Sequence, residues 1–239
     1  MMFLSQGLEF DEEKHEYTYN GKALISTTTF IHSFFPGFEE EYWAEFKAQQ
    51  MGWTKAQVLD MWQQNKNFAT SYGHKIHALA ENIVKDPSYE GCDDIEKSHE
   101  GAIKEFLEPL RSYELHPEVQ MFNVDFGVAG TADLIVKDGN NISVYDWKTS
   151  KSIDMSNGRG NYAKPPIEYL SANNYTQYAL QLSLYAKLLQ SRIPGLEIND
   201  LVIVHLPKSS SECKAYPVKY LKNEIEAMLE HYKQQLLVV

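Results

Sequence analysis

The sequence predicts one α/β domain built around a central sheet, and three observations predict it. Helix-like patterning fills most of the first half. It gives way to β-branched and aromatic segments at residues 119–123, 127–137 and 142–149. After residue 173, helical and strand patterns alternate to the end.

Residues 8–25 alternate apolar and polar about Tyr19-Asn20-Gly21-Lys22, which predicts a hairpin with an Asn-Gly turn. Ser26-Thr27-Thr28-Thr29 can cap a short helix through Phe34, stopped by Pro36-Gly37. The stretch 39–64 reads as helical. A stronger helix is expected over 68–85, where Ile76, Leu79, Ala80 and Ile83 share one face, and another over 95–112. Asp138-Gly139-Asn140-Asn141 forms the turn between the second and third central strands. Residues 150–173 show no clear periodicity. A helix over 174–190, strands at 201–206 and 215–218, and a helix over 221–237 complete the chain. The expectation is a single domain over 1–239, with an N-terminal hairpin and helices (1–67) ahead of a core (68–239).

Hydrophobic content of 43% and charged content of 23% are ordinary for a globular chain. No apolar run approaches the roughly 18 residues of a membrane span, and the N-terminus lacks the basic start and apolar stretch of a secretory signal. No membrane association is expected. The two cysteines, Cys92 and Cys213, cannot build a disulfide framework or a cysteine metal cluster, which points to a reducing, cytoplasmic setting. The net charge of −11 argues against a nucleic-acid partner. A local basic groove or a bound cation can still carry such a contact on an acidic protein.

The most informative segment runs from Gly127 to Ser150. If its hairpin is symmetric about Gly139–Asn140, Asp133 lies directly opposite Asp146 on the same face. Like charges so placed repel, and three resolutions are open: the pair shares a proton, sits exposed at the sheet's end, or holds a cation. Lys148, two residues beyond Asp146, points the same way, while Leu134, Val136, Tyr145 and Trp147 take the opposite face. An ordinary hairpin with a cross-strand ion pair would also suit these residues. Two aspartates and a lysine among apolar neighbours look more like a site. Mg²⁺ and Mn²⁺ prefer carboxylate oxygens, polarise phosphates and acidify water. The Lys148 ammonium could orient that water or stabilise developing charge.

Two helical sets accompany the hairpin. Gly73, His77 and Glu81 recur every four residues, so they share a helix face. His77 could be a boundary histidine or a metal ligand, and Gly73 would let backbone approach closely. Gln181 and Tyr185 repeat the spacing on the helix over 174–190, with Gln177 one turn earlier. They could be a polar edge, or could hold the surroundings of Lys148 or a substrate phosphate.

Taken in order, Gly73-x-x-x-His77-x-x-x-Glu81, Gly130-Thr-Ala-Asp133, Asp146-Trp-Lys148-Thr149 and Gln181-Leu-Ser-Leu-Tyr185 resemble the motifs of the RecB-like branch of the PD-(D/E)XK nuclease superfamily. The N-terminal hairpin followed by Ser26-Thr27-Thr28 is similar to that of phage and mitochondrial genome-maintenance exonucleases of this branch. The resemblance implies a restriction-endonuclease-like core, a mixed central β-sheet flanked by helices, with a helical N-terminal elaboration. It implies His77, Asp133 and Asp146 as ligands of one or two Mg²⁺ or Mn²⁺ ions, with the Trp147 carbonyl as a further ligand. Lys148 would be the catalytic lysine, beside Asp133 and Asp146. Gly73, Glu81, Thr149, Gln181 and Tyr185 would support the site or touch DNA, and Glu118 falls where some relatives carry another acidic residue. The iron–sulfur members of the branch need four cysteines, so no iron–sulfur cluster is expected here.

The implied reaction is hydrolysis of DNA phosphodiesters leaving a 5′-phosphate, by an exonuclease acting on single-stranded or processed ends. It would work with replication or recombination proteins in a bacterial or phage-infected cell. A non-catalytic DNA-end binder and a structure-specific endonuclease of the same fold are the alternatives. Lys151, Arg159 and Tyr162, in the long segment after the third strand, interleave basic and aromatic groups as a single-strand track would, though a merely mobile loop would look the same.

Overall fold

A two-residue turn between right-twisted strands needs positive φ at both central positions, and Asn20 (φ 51°) and Gly21 (φ 72°) supply it. They join β2 (Glu16–Tyr19) to β3 (Lys22–Ser26), with Tyr19 opposite Lys22. β1 (Leu8–Asp11) pairs antiparallel with β2, so the predicted hairpin is two arms of a three-stranded meander. The computed structural model describes residues 2–11, 16–156 and 160–238. Ser26 then caps α1 (Thr27–Ser33) by accepting from the Thr29 N–H at 3.1 Å.

The next helices differ from expectation. Instead of a boundary between residues 64 and 68, the break falls at Gly52, in the left-handed conformation at φ 66°, between α2 (Glu40–Met51) and α3 (Lys55–Lys85). Thr54 and Gln57 form a reciprocal capping box there, a start signal the sequence reading passed over. Asn65, Asn67, Thr70 and Gly73 are weak helix formers. Packing of Tyr72, Ile76, Leu79, Ala80 and Ile83 carries α3 through them unbroken. α4 (Asp94–Leu107) ends earlier than expected, because Pro109 turns the next residues into the 3-10 turn Glu108–Ser112.

Five strands and two helices follow: β4 (Glu114–Asn123), β5 (Val128–Asp138), β6 (Asn141–Lys148), α5 (Asn174–Arg192), β7 (Glu197–His205), β8 (Lys214–Val218) and α6 (Lys222–Val238). The sheet has eight strands in the order β1-β2-β3-β5-β6-β7-β8, with β4 also on β5. β3–β5 and β6–β7 run parallel and the other pairs antiparallel. Each face carries a core. On one, Ile135, Val144 and Ile203 meet Phe30 of α1, Leu184 of α5 and Met228 of α6. On the other, Leu134, Trp147 and Val204 meet Ile76 and Leu79 of α3 and Ile103 of α4. This is a mixed central sheet flanked by helices, the predicted α/β class. α2 and the start of α3 close a small separate cluster around Ala44, Ala48 and Val58. No described helix is long and apolar enough to cross a membrane.

One detail of the sheet positions everything that follows. β4 occupies one edge of β5 along its length, so β3 and β6 must share the other edge. β3 pairs with Val128 and Ala129, and β6 with the stretch from Leu134 to Asp138. Between them, residues 130–133 have no strand on that edge, and a cleft opens there.

Candidate active site

The registers on either side of β5 converge on Asp133. Pro117 pairs with Leu134 and Val119 with Ala132, which sets Glu118 against Asp133. Leu134 pairs with Tyr145, which sets Asp133 against Asp146. Three carboxylates therefore stand in a row across three strands. Neither ladder includes Asp133 itself. Glu118 takes the left-handed conformation (φ 47°), rare for a non-glycine residue. The Asp133 side chain replaces the missing rungs: Oδ2 accepts from the Trp147 N–H at 2.7 Å, and Oδ1 lies 3.3 Å from His77 Nδ1 on α3.

A second chain of contacts runs toward α5. Asp146 is 1% exposed, and the Lys148 ammonium lies 2.5 Å from its Oδ2. Apart from that ion pair, Oδ2 has no hydrogen-bond partner among the described residues. Lys148 also donates to Gln181 Oε1 at 3.2 Å, and Gln181 Nε2 donates to the Tyr185 hydroxyl at 2.9 Å. The four-residue spacing of Gln181 and Tyr185 makes this relay a single helix face.

These groups share a cleft of about 540 Å³, and its electrostatics are those of too many acids in too little water. Burial pushes Asp146 up to about 6, with Asp133 adding to the rise and Lys148 opposing it. Burial, reinforced by Asp133, pushes Glu118 up to about 8. Burial also acts upward on Asp133, but His77, Lys148 and the Trp147 N–H outweigh it and hold that carboxyl below its ordinary value. Burial alone would lower His77; the charge and hydrogen bond of Asp133 overcome it and raise the ring to about 9. Without a cation the cluster keeps protons that ordinary carboxylates would release.

The residues fit a divalent cation. Ligand atoms of His77, Glu118 and Asp133 lie within 4.8 Å of one another, and the buried Asp146 Oδ2 faces the Lys148 ammonium alone among the described residues. Carboxylate oxygens with one imidazole are a donor set that a divalent cation such as Mg²⁺ or Mn²⁺ can take.

Other expected residues fall into place unevenly. Glu81 lines the cleft and pairs with Lys85 at 2.5 Å. Trp147 buries its ring on the far face against Phe106, at 5.4 Å between centroids, and turns its N–H to Asp133. A methyl group added at Gly73 would meet only Thr149 Oγ1 at 3.5 Å, an ordinary contact. The close approach expected at Gly73 occurs at Gly130, where a Cβ would lie 2.3 Å from Thr27 Oγ1 and 2.9 Å from Tyr185. Lys151 and Tyr162 are exposed and do not line the cleft, and Arg159 lies outside the described residues. The stretch 160–172 is folded rather than loose. Tyr162 bridges to Ser171, Ala163 and Ile167 are buried, and Lys164 donates to the Ser33 carbonyl of α1 at 3.1 Å. Sequence reasoning missed Tyr17, His74 and Thr131 as cleft residues, and gave Thr27 and Thr28 a place in a cap and in the family resemblance without placing them in the cleft. The Tyr17 hydroxyl and Thr131 Oγ1 are 3.0 Å apart, which ties the meander to β5.

A family model of the PD-(D/E)XK nuclease superfamily matches residues 93–237, a span holding Glu118, Asp133, Asp146, Lys148, Gln181 and Tyr185. The chain belongs to that superfamily. His77 and the N-terminal strands that wall the cleft lie outside the matched span. Similar solved structures include a candidate exonuclease from Eubacterium rectale, 18% identical with a TM-score of 0.46, the match covering 71% of this chain and 66% of that one. Another is the protein SSO0001, 14% identical with a TM-score of 0.42, the match covering 89% and 75%. A comparison with curated proteins returned no match.

Proposed function

We propose that this nuclease is a divalent-cation-dependent DNA exonuclease of the RecB-like branch, hydrolysing phosphodiesters at single-stranded or processed ends in replication or recombination. The observation that carries this reading is the meeting of Asp133, Asp146 and Lys148 with His77 and Glu118 in one cleft. A structural hairpin needs no such cluster, because burying three carboxylates together costs stability. His77, Glu118, Asp133 and Asp146 would hold Mg²⁺ or Mn²⁺, which supplies Lewis-acid polarisation of the scissile phosphate and acidifies water.

The chain's own residues do the rest. The Trp147 N–H fixes one oxygen of Asp133 and leaves the other toward His77. Asp146 keeps Lys148 charged, and Gln181, itself held by Tyr185, sets where the ammonium points. Lys148 then donates to the attacking water or to a phosphoryl oxygen as negative charge grows there, the use of a preorganised donor in a partly dry site. Lys151, Arg159 and Tyr162 lie farther along the chain and would touch the strand beyond the cleft.

End-labelled linear and circular single-stranded DNA, incubated with Mg²⁺, Mn²⁺ or EDTA, tests the proposal. Linear strands should be degraded from an end with either cation and remain whole in EDTA. Degradation unaffected by EDTA, or no hydrolysis with any cation, overturns it. Cutting of the circle replaces exonuclease by endonuclease.

A further inference from the structure

A second cleft, of about 340 Å³, adjoins the first and shares Thr28, Lys148 and Gln181 with it. It lies between α1 and α5, and its remaining lining is Ile31, His32, Gln177 and Tyr178. Thr28 and His32 are four apart on α1, so they face the cleft together, and Gln177 and Tyr178 sit one turn before Gln181 on α5. The Lys148 ammonium stands 4.7 Å from the centre of the Tyr178 ring.

What distinguishes this cleft is unspent hydrogen-bonding capacity. In the first cleft, Asp133 is engaged by Trp147, and Gln181 by Lys148 and Tyr185. By contrast, the exposed side chains of Thr28 and His32 and the half-buried ones of Gln177 and Tyr178 make no hydrogen bond to protein among the described residues, which leaves them to water or to a ligand. Here a hydroxyl, an imidazole, an amide and a phenol converge on a hollow in the size range of small-ligand sites, with an apolar floor at Ile31 and an aromatic wall at Tyr178. Burial and the nearby Lys148 charge depress the pKa of His32, which leaves the ring neutral and able both to donate and to accept.

We infer that this second cleft is the subsite for the nucleoside next to the scissile phosphate, and that this nucleoside enters it unpaired. The inference rests on the reading of the first cleft as the place of phosphodiester hydrolysis. A strand whose phosphate lies against Lys148 in the carboxylate cleft has its neighbouring sugar and base where the two clefts join. Gln177 and His32 then face base edges, and the Tyr178 ring offers a surface for stacking, which every base can use. A base whose Watson–Crick edge meets Gln177 and His32 cannot also be paired to a second strand. The cleft thereby selects single-stranded or frayed DNA at one position, without a requirement for sequence.

The test pairs protein variants with an altered strand. Single-stranded oligonucleotides carry one abasic residue on either side of a defined phosphodiester. Binding is measured by fluorescence anisotropy with Ca²⁺ in place of Mg²⁺, and cleavage at that bond with Mg²⁺. The proteins are the 239-residue chain and its variants His32→Ala, Gln177→Ala and Tyr178→Phe, each checked by thermal melting. An abasic residue on one side only should weaken binding and slow cleavage about 10-fold, the scale of a lost stacking contact. His32→Ala and Gln177→Ala together should do the same on intact DNA and add less than about 2-fold on that abasic strand, the mark of a shared interaction. Tyr178→Phe, which keeps the ring, should stay within about 3-fold of the parent. Equal losses on intact and abasic strands, or none on either, overturn the subsite. If no strand is cut with any cation but the binding pattern holds, the subsite stands and the hydrolytic reading falls.

Discussion

The two ends of the β5–β6 hairpin obey one register and do opposite things. At the turn end, five rungs from Leu134–Tyr145 to Asp138–Asn141 are closed by backbone hydrogen bonds, and alternate residues fill the two cores. At the other end the ladder stops, and Asp133, Asp146 and Lys148 occupy the positions that more rungs would have filled. Side chains complete there what the backbone completes elsewhere, as when the Trp147 N–H turns to Asp133. The regular end is what allows the irregular one. A cluster of buried charge keeps its geometry only where rigid elements hold it against repulsion.

Substitutions at the two ends should therefore separate activity from stability. The largest change is expected from Asp146→Asn, which should abolish hydrolysis and the thermal shift caused by Mn²⁺. Because the Asp146 pKa is raised from 3.8 to about 6, the folded metal-free protein holds a proton that the unfolded chain gives up. Wild-type stability then falls as pH rises from about 4 to about 6, and the variant lacks that loss. Melts in EDTA at pH 4, 5, 6 and 7 should show the variant gaining over wild type up to about pH 6 and no further; a constant difference across the series contradicts this. Lys148→Met should slow cleavage about 10²–10³-fold, the scale of one lost transition-state donor, while the melting temperature in EDTA moves by only a few degrees. Gly130→Ala, where a methyl group meets Thr27 and Tyr185, should cost about 1–3 kcal/mol in urea unfolding. The smallest effect belongs to the turn end. Gly139→Ala, at φ 59° with open space around it, should cost about 1 kcal/mol and leave the cleavage rate unchanged. A Gly139 variant that lost activity in proportion to Lys148→Met would erase the contrast between the ends.

Much of this site could be read from residue order alone, because a two-residue turn fixes a register. Once Gly139–Asn140 was taken as the turn, Asp133, Asp146 and Lys148 followed onto one face by counting. Glu118 was harder. Pro117 interrupts the strand pattern just before it, so the first strand is expected to start at 119; β4 tolerates the proline because, among the described residues, β5 is its only strand partner. That His77 would meet Asp133 could not be counted from any turn, since it depends on how α3 docks against the sheet. The unbroken course of α3 was hidden for a related reason: tertiary packing at Ile76 and Leu79 overrides the weak formers before it. The segment over 160–172 gave no period because its order comes from two buried side chains and a contact with α1, not from a repeating face.

The parallel pairing of Ser26 with Ala129 also bears on how the molecule assembles. One wall of the cleft is brought in from about a hundred residues away, a contact whose loop-closure entropy makes it slow to form. The helices and the β5–β6 hairpin are local and can form first. On that order of events the chain condenses its cores before its chemistry is complete, and competence arrives with the last long-range strand to dock.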